Sequence, residues 1–408
     1  MTTRPQAPAA LDYYTWQQDT VRVGKRSYRL GTKPGMFAHR QVDSASVMIA
    51  EHARVAVGDV AVYLNCGNGL FGAVALAAGA SRVVMADRNI LSYEAAQRTL
   101  AVAIAGANAD IEGRGEAYLS HGASSLPRSL SANVVAIRVP HERVAMLQLL
   151  SDAFGMLQEG GTLVVGGAVK EGIRPAVRAM EAVFGNAKSL AQGGGHHVAQ
   201  AVKRSATPVD PIALASPMLD PNHFHEVPVT LRGLHLSLHT RPGVFSWEHA
   251  DDATALLAEV MQLEQGQSVL DIGCGAGALG TVAGLVTGTP VCMVDADSEA
   301  VRCATRTAQS AGVRARVLAS DIASALGDER FDVVVCNPPF HVGKSTDLEV
   351  PAQFIRDAYR VLAPGGSVQI VANRTLPYER LVEGAFGHVR TLHDGPRFKV
   401  LTAVKRTA

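Results

Sequence analysis

Short apolar runs alternate along this chain with longer stretches in which apolar residues recur at helical spacing. SVLDIG (268–273), VCMVDA (291–296), ARVLAS (315–320), FDVVVCN (331–337) and GSVQIVAN (366–373) are the short runs. Nearly continuous in valine, isoleucine and leucine, they predict strands buried on both faces, with helical patterns between them. Strands alternating with helices predict a mostly parallel sheet covered on both sides, whose ligands bind beyond the carboxyl ends of the strands. Ahead of these runs, DDATALLAEVMQL (251–263) predicts a helix, and alternating residues around Arg232-Gly233 predict a β-hairpin.

The pattern occurs twice. LGTKPGMFAHRQVDSASVMIAEH (30–52) matches LHTRPGVFSWEHADDATALLAEV (238–260), and VYLNCGNGLFG (62–72) matches LDIGCGAGALG (270–280), both at an offset of 208. Further on, LQEGGTLVVGGA (157–168) answers LAPGGSVQIVAN (362–373). A unit this long is a duplicated domain, because solenoid repeats are much shorter. The division is 1–206 for the first domain, 207–228 for a proline-rich linker, and 229–408 for the second domain.

Composition narrows the class without choosing a function. Of 408 residues, 47% are hydrophobic and 18% charged, which is ordinary for a globular protein of two or three domains. The N-terminus lacks the apolar core of a signal peptide, and no membrane span is expected. Five cysteines without a C-x-x-C spacing predict a reduced, cytoplasmic setting with neither disulfides nor a metal site. A net charge of +1 gives no global attraction to nucleic acid and leaves a local basic face open.

Candidate chemistry lies at strand ends. In DIGCGAGALG (271–280), Gly273, Gly275 and Gly277 follow a strand and precede a helix, where backbone without side chains admits a ligand. Gly275, Gly277 and Gly280 also satisfy the dinucleotide pattern G-x-G-x-x-G, so this stretch alone leaves the cofactor open. Asp271 beside the turn suits a ligand ammonium better than a pyrophosphate. Asp295, ending the next strand, suits the two hydroxyls of a ribose in either kind of cofactor. Asp297 reads more readily as a helix cap, while for Asp321 a cap and an acceptor for an adenine amine weigh equally.

CNPPFHVG (336–343) decides between the cofactors. Two prolines take the chain out of the sheet in a stiff loop, holding an amide and an aromatic ring together. Asn-Pro-Pro-Phe resembles the amine-methylating motif of class I methyltransferases. With PGVFS (242–246), DIGCGAG, VDAD, SDI and IVANRTLPY, the chain resembles the tandem-domain ribosomal RNA guanine-N2 methyltransferases of the RsmC/RlmG type. The resemblance implies two tandem Rossmann-like domains with only the second catalytic. It implies S-adenosyl-L-methionine as cofactor and S-adenosyl-L-homocysteine as product, with Phe245, Asp271, Gly273, Gly275, Gly277, Asp295, Ala296, Asp321, Ile322 and Asn337 around them. It also implies ribosomal RNA or a ribosomal subunit as partner, 16S RNA first, and a monomer. Large-subunit RNA, DNA adenine and a protein glutamine remain as alternatives. In that reading the Asn337 and Pro338 carbonyls accept from the target amine, Pro339 stiffens the loop, and Phe340 stacks on the extruded base.

The first half has Tyr63 for Asp271, Asn65 for Gly273 and, in IRVPH (137–141), Arg138 for Asn337. Arginine only donates, so this copy is expected to keep the fold and lose the reaction. Arg138, Lys170, Arg174 and Arg178 are its candidates for an RNA face. One cofactor per chain is expected, and residues 222–408 alone are expected to bind it.

Overall fold

The computed structural model describes residues 12–37, 39–106, 113–339 and 348–406. The first half runs β1 (Gln17–Val23), β2 (Arg26–Thr32), α1 (Ser44–His52), β3 (Val60–Leu64), α2 (Leu70–Ala77), β4 (Arg82–Asp87) and α3 (Ile90–Ala105). It continues with β5 (Gly115–Leu119), β6 (Ala132–Arg138), α4 (Arg143–Met156), β7 (Leu157–Ala168), α5 (Ile173–Phe184), β8 (Lys188–Gly193) and β9 (His196–Val202). The second half repeats the order: β10 (His225–Leu231), β11 (Leu234–Thr240), α6 (Asp252–Val260), β12 (Val269–Ile272), α7 (Ala278–Thr287), β13 (Val291–Asp295) and α8 (Ser298–Ser310). β14 (Ala315–Ala319), β15 (Phe331–Cys336), α9 (Glu349–Val361), β16 (Leu362–Asn373), α10 (Tyr378–Phe386), β17 (Arg390–Asp394) and β18 (Phe398–Val404) complete it.

Among the described residues, each half builds one seven-stranded sheet and one separate hairpin. The strand orders are β5-β4-β3-β6-β7-β9-β8 and β14-β13-β12-β15-β16-β18-β17. Five strands of each sheet are parallel, and the last two form an antiparallel edge. Helices cover both faces, which explains the continuous apolar runs: all four residues of β12 are buried, and so are Val333, Val334 and Val335 of β15. The order reverses between β12 and β15, so their carboxyl ends open a crevice there.

The hairpin turns at Arg232-Gly233, with φ of 53° and 72°, the left-handed pair that matches strand twist in a two-residue turn. β10 begins at His225, inside the segment the sequence assigned to the linker. The connection therefore ends about four residues earlier than 228, because Pro228 sits within an antiparallel pair opposite Ser237. Two short 3-10 turns, Pro211–Leu214 and Pro217–Leu219, give the connection its form.

The halves meet through equivalent residues. Ile90 donates its N–H to the Ala296 carbonyl and Ser298 donates to the Arg88 carbonyl, both at 2.8 Å, around an antiparallel bridge between Asn89 and Asp297. Each residue pairs with the counterpart of its partner in the repeat, so an approximate two-fold axis passes between the N-termini of α3 and α8. No helix among the described residues is long and apolar enough to cross a membrane, and all five cysteines are buried and free.

Candidate active site

Between the carboxyl ends of β12, β13 and β15 lies a cavity of about 540 Å³, within the range of small-molecule sites. Gly273 and Gly275 line it with φ of 76° and 53°, where a side chain would be strained. Gly277, expected beside the ligand, is not in the wall. It caps α7, and a Cβ there would sit 2.8 Å from the backbone and side chain of Ala304, so its glycine serves helix packing. Phe245, Ala296 and Ile322 all line the cavity, and Phe245 is 61% exposed.

Asn337 leaves β15 into this space with Pro338 and Pro339. Its Nδ2 donates to Asp251 Oδ2 at 3.0 Å and to Thr254 Oγ1 at 2.9 Å. Its Oδ1 is buried and has no partner among the described residues. A buried acceptor without a donor is costly unless a ligand supplies one. Phe340, assigned to stacking by the sequence, lies outside the described residues.

The three acids expected at the cofactor behave differently. Asp295 lines the cavity and accepts from Gly275 N–H and Asp297 N–H, each at 2.9 Å. Burial, with help from the Asp297 charge, pushes its carboxyl up to about 6. Asp271 does not reach the cavity. It lies beneath the glycine turn, where one oxygen accepts from Gly280 N–H at 2.9 Å and the other is buried without a partner among the described residues. Burial raises this carboxyl to about 7, and the nearby Asp295 charge adds to the rise. The expected contact with a ligand ammonium is therefore corrected to support of the turn and the start of α7. Asp321 does line the cavity, but Lys33 Nζ binds one of its oxygens and Tyr13 hydroxyl the other, at 2.9 Å for Tyr13. Its carboxylate thus holds the first domain, and each oxygen keeps a further lone pair on the cavity side of this contact.

The first domain thus builds part of the second domain's site, which no motif in the second half announced. Tyr13, Gly35, Asn89 and Leu91 complete the cavity wall. Tyr13 is buried within the second domain's core, and Tyr14 donates to Asp357. A Cβ on Gly35 would lie 2.6 Å from the Tyr13 hydroxyl, so glycine is needed for that approach. Residues 222–408, expected to bind the cofactor alone, would lack this part of the wall.

The corresponding cavity of the first domain, about 500 Å³, is lined by charge pairs. Arg138 is buried, bound to Asp43 at 3.3 Å and to Glu171 at 2.9 Å, which removes it from the expected RNA face. Lys170, Arg174 and Arg178 are exposed. Arg88, where the second domain has the small Ala296, crosses to Asp297, the cap of α8. Asp87 accepts from Gly67 and Asn89 N–H at 2.9 Å, the same two bonds that Asp295 makes. Its retention therefore reflects backbone geometry and needs no ligand.

The family model of the methyltransferase small domain matches the chain twice, at residues 27–200 and 235–402. The chain belongs to the methyltransferase small-domain family. Several relatives are named ribosomal RNA small subunit methyltransferase C. The one from Hahella chejuensis is 42% identical over 171 residues, covering 42% of this chain and 50% of the relative. The one from Shewanella amazonensis is 31% identical over 282 residues, 67% of this chain and 78% of the relative. In several such matches the chain spans about half the length of the relative. A solved family structure, the T. thermophilus 16S rRNA N2 G1207 methyltransferase in complex with AdoMet and guanosine, aligns with a TM-score of 0.80 and 27% identity. That alignment covers 96% of this chain and 98% of the other.

Proposed function

We propose that the protein transfers a methyl group from S-adenosylmethionine to the exocyclic N2 amine of a guanine in 16S ribosomal RNA. The observation that carries this reading is Asn337, whose donors are both taken and whose buried Oδ1 awaits a donor. The cavity's chemistry supports the cofactor: glycine backbone, one carboxylate at a strand end, and apolar walls from Leu279, Ile322, Val350 and Phe354. Relatives carrying the small-subunit name, and the solved structure that holds AdoMet with guanosine, support the substrate.

S-adenosylmethionine supplies a methyl group made electrophilic by its sulfonium. The guanine amine is a poor nucleophile because its lone pair is delocalised into the ring. Asn337 Oδ1 and the Pro338 carbonyl accept its two N–H bonds, turning the remaining lone pair toward the methyl carbon. As the N–C bond forms, the C–S electrons pass to sulfur, and positive charge develops on nitrogen beside these two acceptors. The nitrogen then sheds one proton to solvent. Asp295 holds the ribose, and Lys33 with Tyr13 fixes the strand end bearing Asp321 and Ile322. The protein works in the cytoplasm as a single chain, its duplicate domain supplying the partner surface that a dimer would otherwise provide.

Mass spectrometry of nucleosides from 16S RNA tests this reading. A strain lacking the gene should lose one N2-methylguanosine, and the intact gene should restore it. Loss from 23S RNA, or a change confined to DNA adenine, would replace the proposed substrate.

A further inference from the structure

Asp251 precedes α6 and caps it, accepting from Thr254 N–H at 2.8 Å. A cap requires nothing more of it, and many residues serve as well. Yet the same oxygen also accepts from Asn337 Nδ2, and the Thr254 hydroxyl takes that group's second hydrogen. A carboxylate accepts and never donates, so Asp251 admits only one orientation of the amide. That orientation leaves the Asn337 oxygen buried and, among the described residues, unpartnered.

We propose that Asp251 and Thr254 are the positioning pair of the reaction, a role that rests on reading Asn337 as the acceptor for the target amine. They hold the amide so that oxygen, not nitrogen, meets the substrate. An anion accepting from the amide N–H also draws the amide toward its charge-separated form, which strengthens Oδ1 as an acceptor. The gain is largest when the substrate nitrogen becomes positive, so it belongs to turnover and not to cofactor binding. The repeat supports the assignment. Asp43 and Ser46 occupy the equivalent places in the first domain, and there Asp43 caps α1 and grips Arg138.

The test uses the full-length protein and radiolabelled methyl transfer into 16S RNA from a strain lacking the modification. Asp251→Ser keeps a helix cap but is too short to reach Asn337. It should match the parent in melting temperature and in calorimetric affinity for S-adenosylmethionine, while kcat falls on the order of 10- to 100-fold. Asp251→Asn retains a neutral acceptor and should recover most of that loss. Asn337→Asp faces one carboxylate with another and should be nearly inactive, whereas adding Asp251→Asn restores a donor and should rescue it in part. Parental kcat in Asp251→Ser, or no rescue in the double variant, overturns the pairing. Parental turnover in Asn337→Ala overturns instead the reading of Asn337 on which it rests, so the two failures are separable.

Discussion

At the end of β15 an asparagine amide hangs between Asp251 and Thr254; at the end of β6 an arginine lies between Asp43 and Glu171. The frames around them agree closely: the same helix cap, the same glycine turn, the same aspartate accepting two backbone N–H groups. What differs is whether the polar groups are finished. In the first domain Arg138 spends its donors on Asp43, Glu171 and the Val139 carbonyl. In the second, Asn337 keeps an open acceptor beside an open cavity. Completing every bond favours a stable fold, and leaving one incomplete favours a ligand.

The sharpest way to break this comparison is to close the open acceptor. Asn337→Ala should lower methyl transfer by on the order of a hundredfold or more while leaving S-adenosylmethionine affinity within a few-fold. Equal losses in rate and affinity would mean that the side chain holds the cofactor.

The next largest effect concerns what the first domain gives the second. Lys33→Met leaves the Asp321 carboxylate buried with only Tyr13 to support it. Removing one partner of a buried pair costs several kcal/mol, roughly 3–5. We expect a lower melting temperature and at least about a tenfold loss of cofactor affinity by calorimetry. Residues 222–408 alone, lacking Tyr13, Lys33 and Gly35, should bind still more weakly. Full affinity in the isolated second domain would reduce these contacts to packing.

Much of this comparison was legible in the sequence. The duplication, both parallel sheets, the hairpin turn and the degenerate β6 end followed from pattern, glycine placement and the change of Asn337 to Arg138. Contacts between halves were not legible, because nothing local marks Lys33 as the partner of Asp321, 288 residues away. Asp271 was misread for a related reason: proximity to the glycine turn in sequence does not say on which side of the turn a side chain lies. Asp251 was visible only as the first residue of the predicted helix 251–263, although its match to Asp43 in the repeat was available.

A third test uses pH. Free carboxylates titrate near 3.8, whereas burial raises Asp295 to about 6. Ribose hydroxyls donate to the ionised form, so cofactor affinity should fall as pH drops from 7 to 5 and the site protonates. Asp295→Asn should bind more weakly at pH 7 and show a flatter profile. A parental profile equally flat would place the ribose on other acceptors.

The smallest expected effect separates Asp271 from Tyr63, its counterpart. Tyr63 is buried and its hydroxyl meets Ser46 at 3.0 Å, so no charge is at stake in the first domain. Asp271 is equally buried, with one oxygen unpartnered and a carboxyl raised from 3.8 to about 7. A carboxyl whose folded value is raised binds its proton more tightly in the native state. Its burial is therefore unpenalised below about pH 4, becomes costly as pH rises from there, and reaches its full cost above about 7. Asp271→Asn removes this titration while keeping an acceptor for Gly280 N–H. The melting temperature of the variant relative to the parent should climb between pH 4 and pH 8. A gain of about 1 kcal/mol corresponds to roughly 2–4 °C for a domain of this size. If that difference stays constant with pH, Asp271 is ionised throughout, and an unrecognised donor must serve its second oxygen.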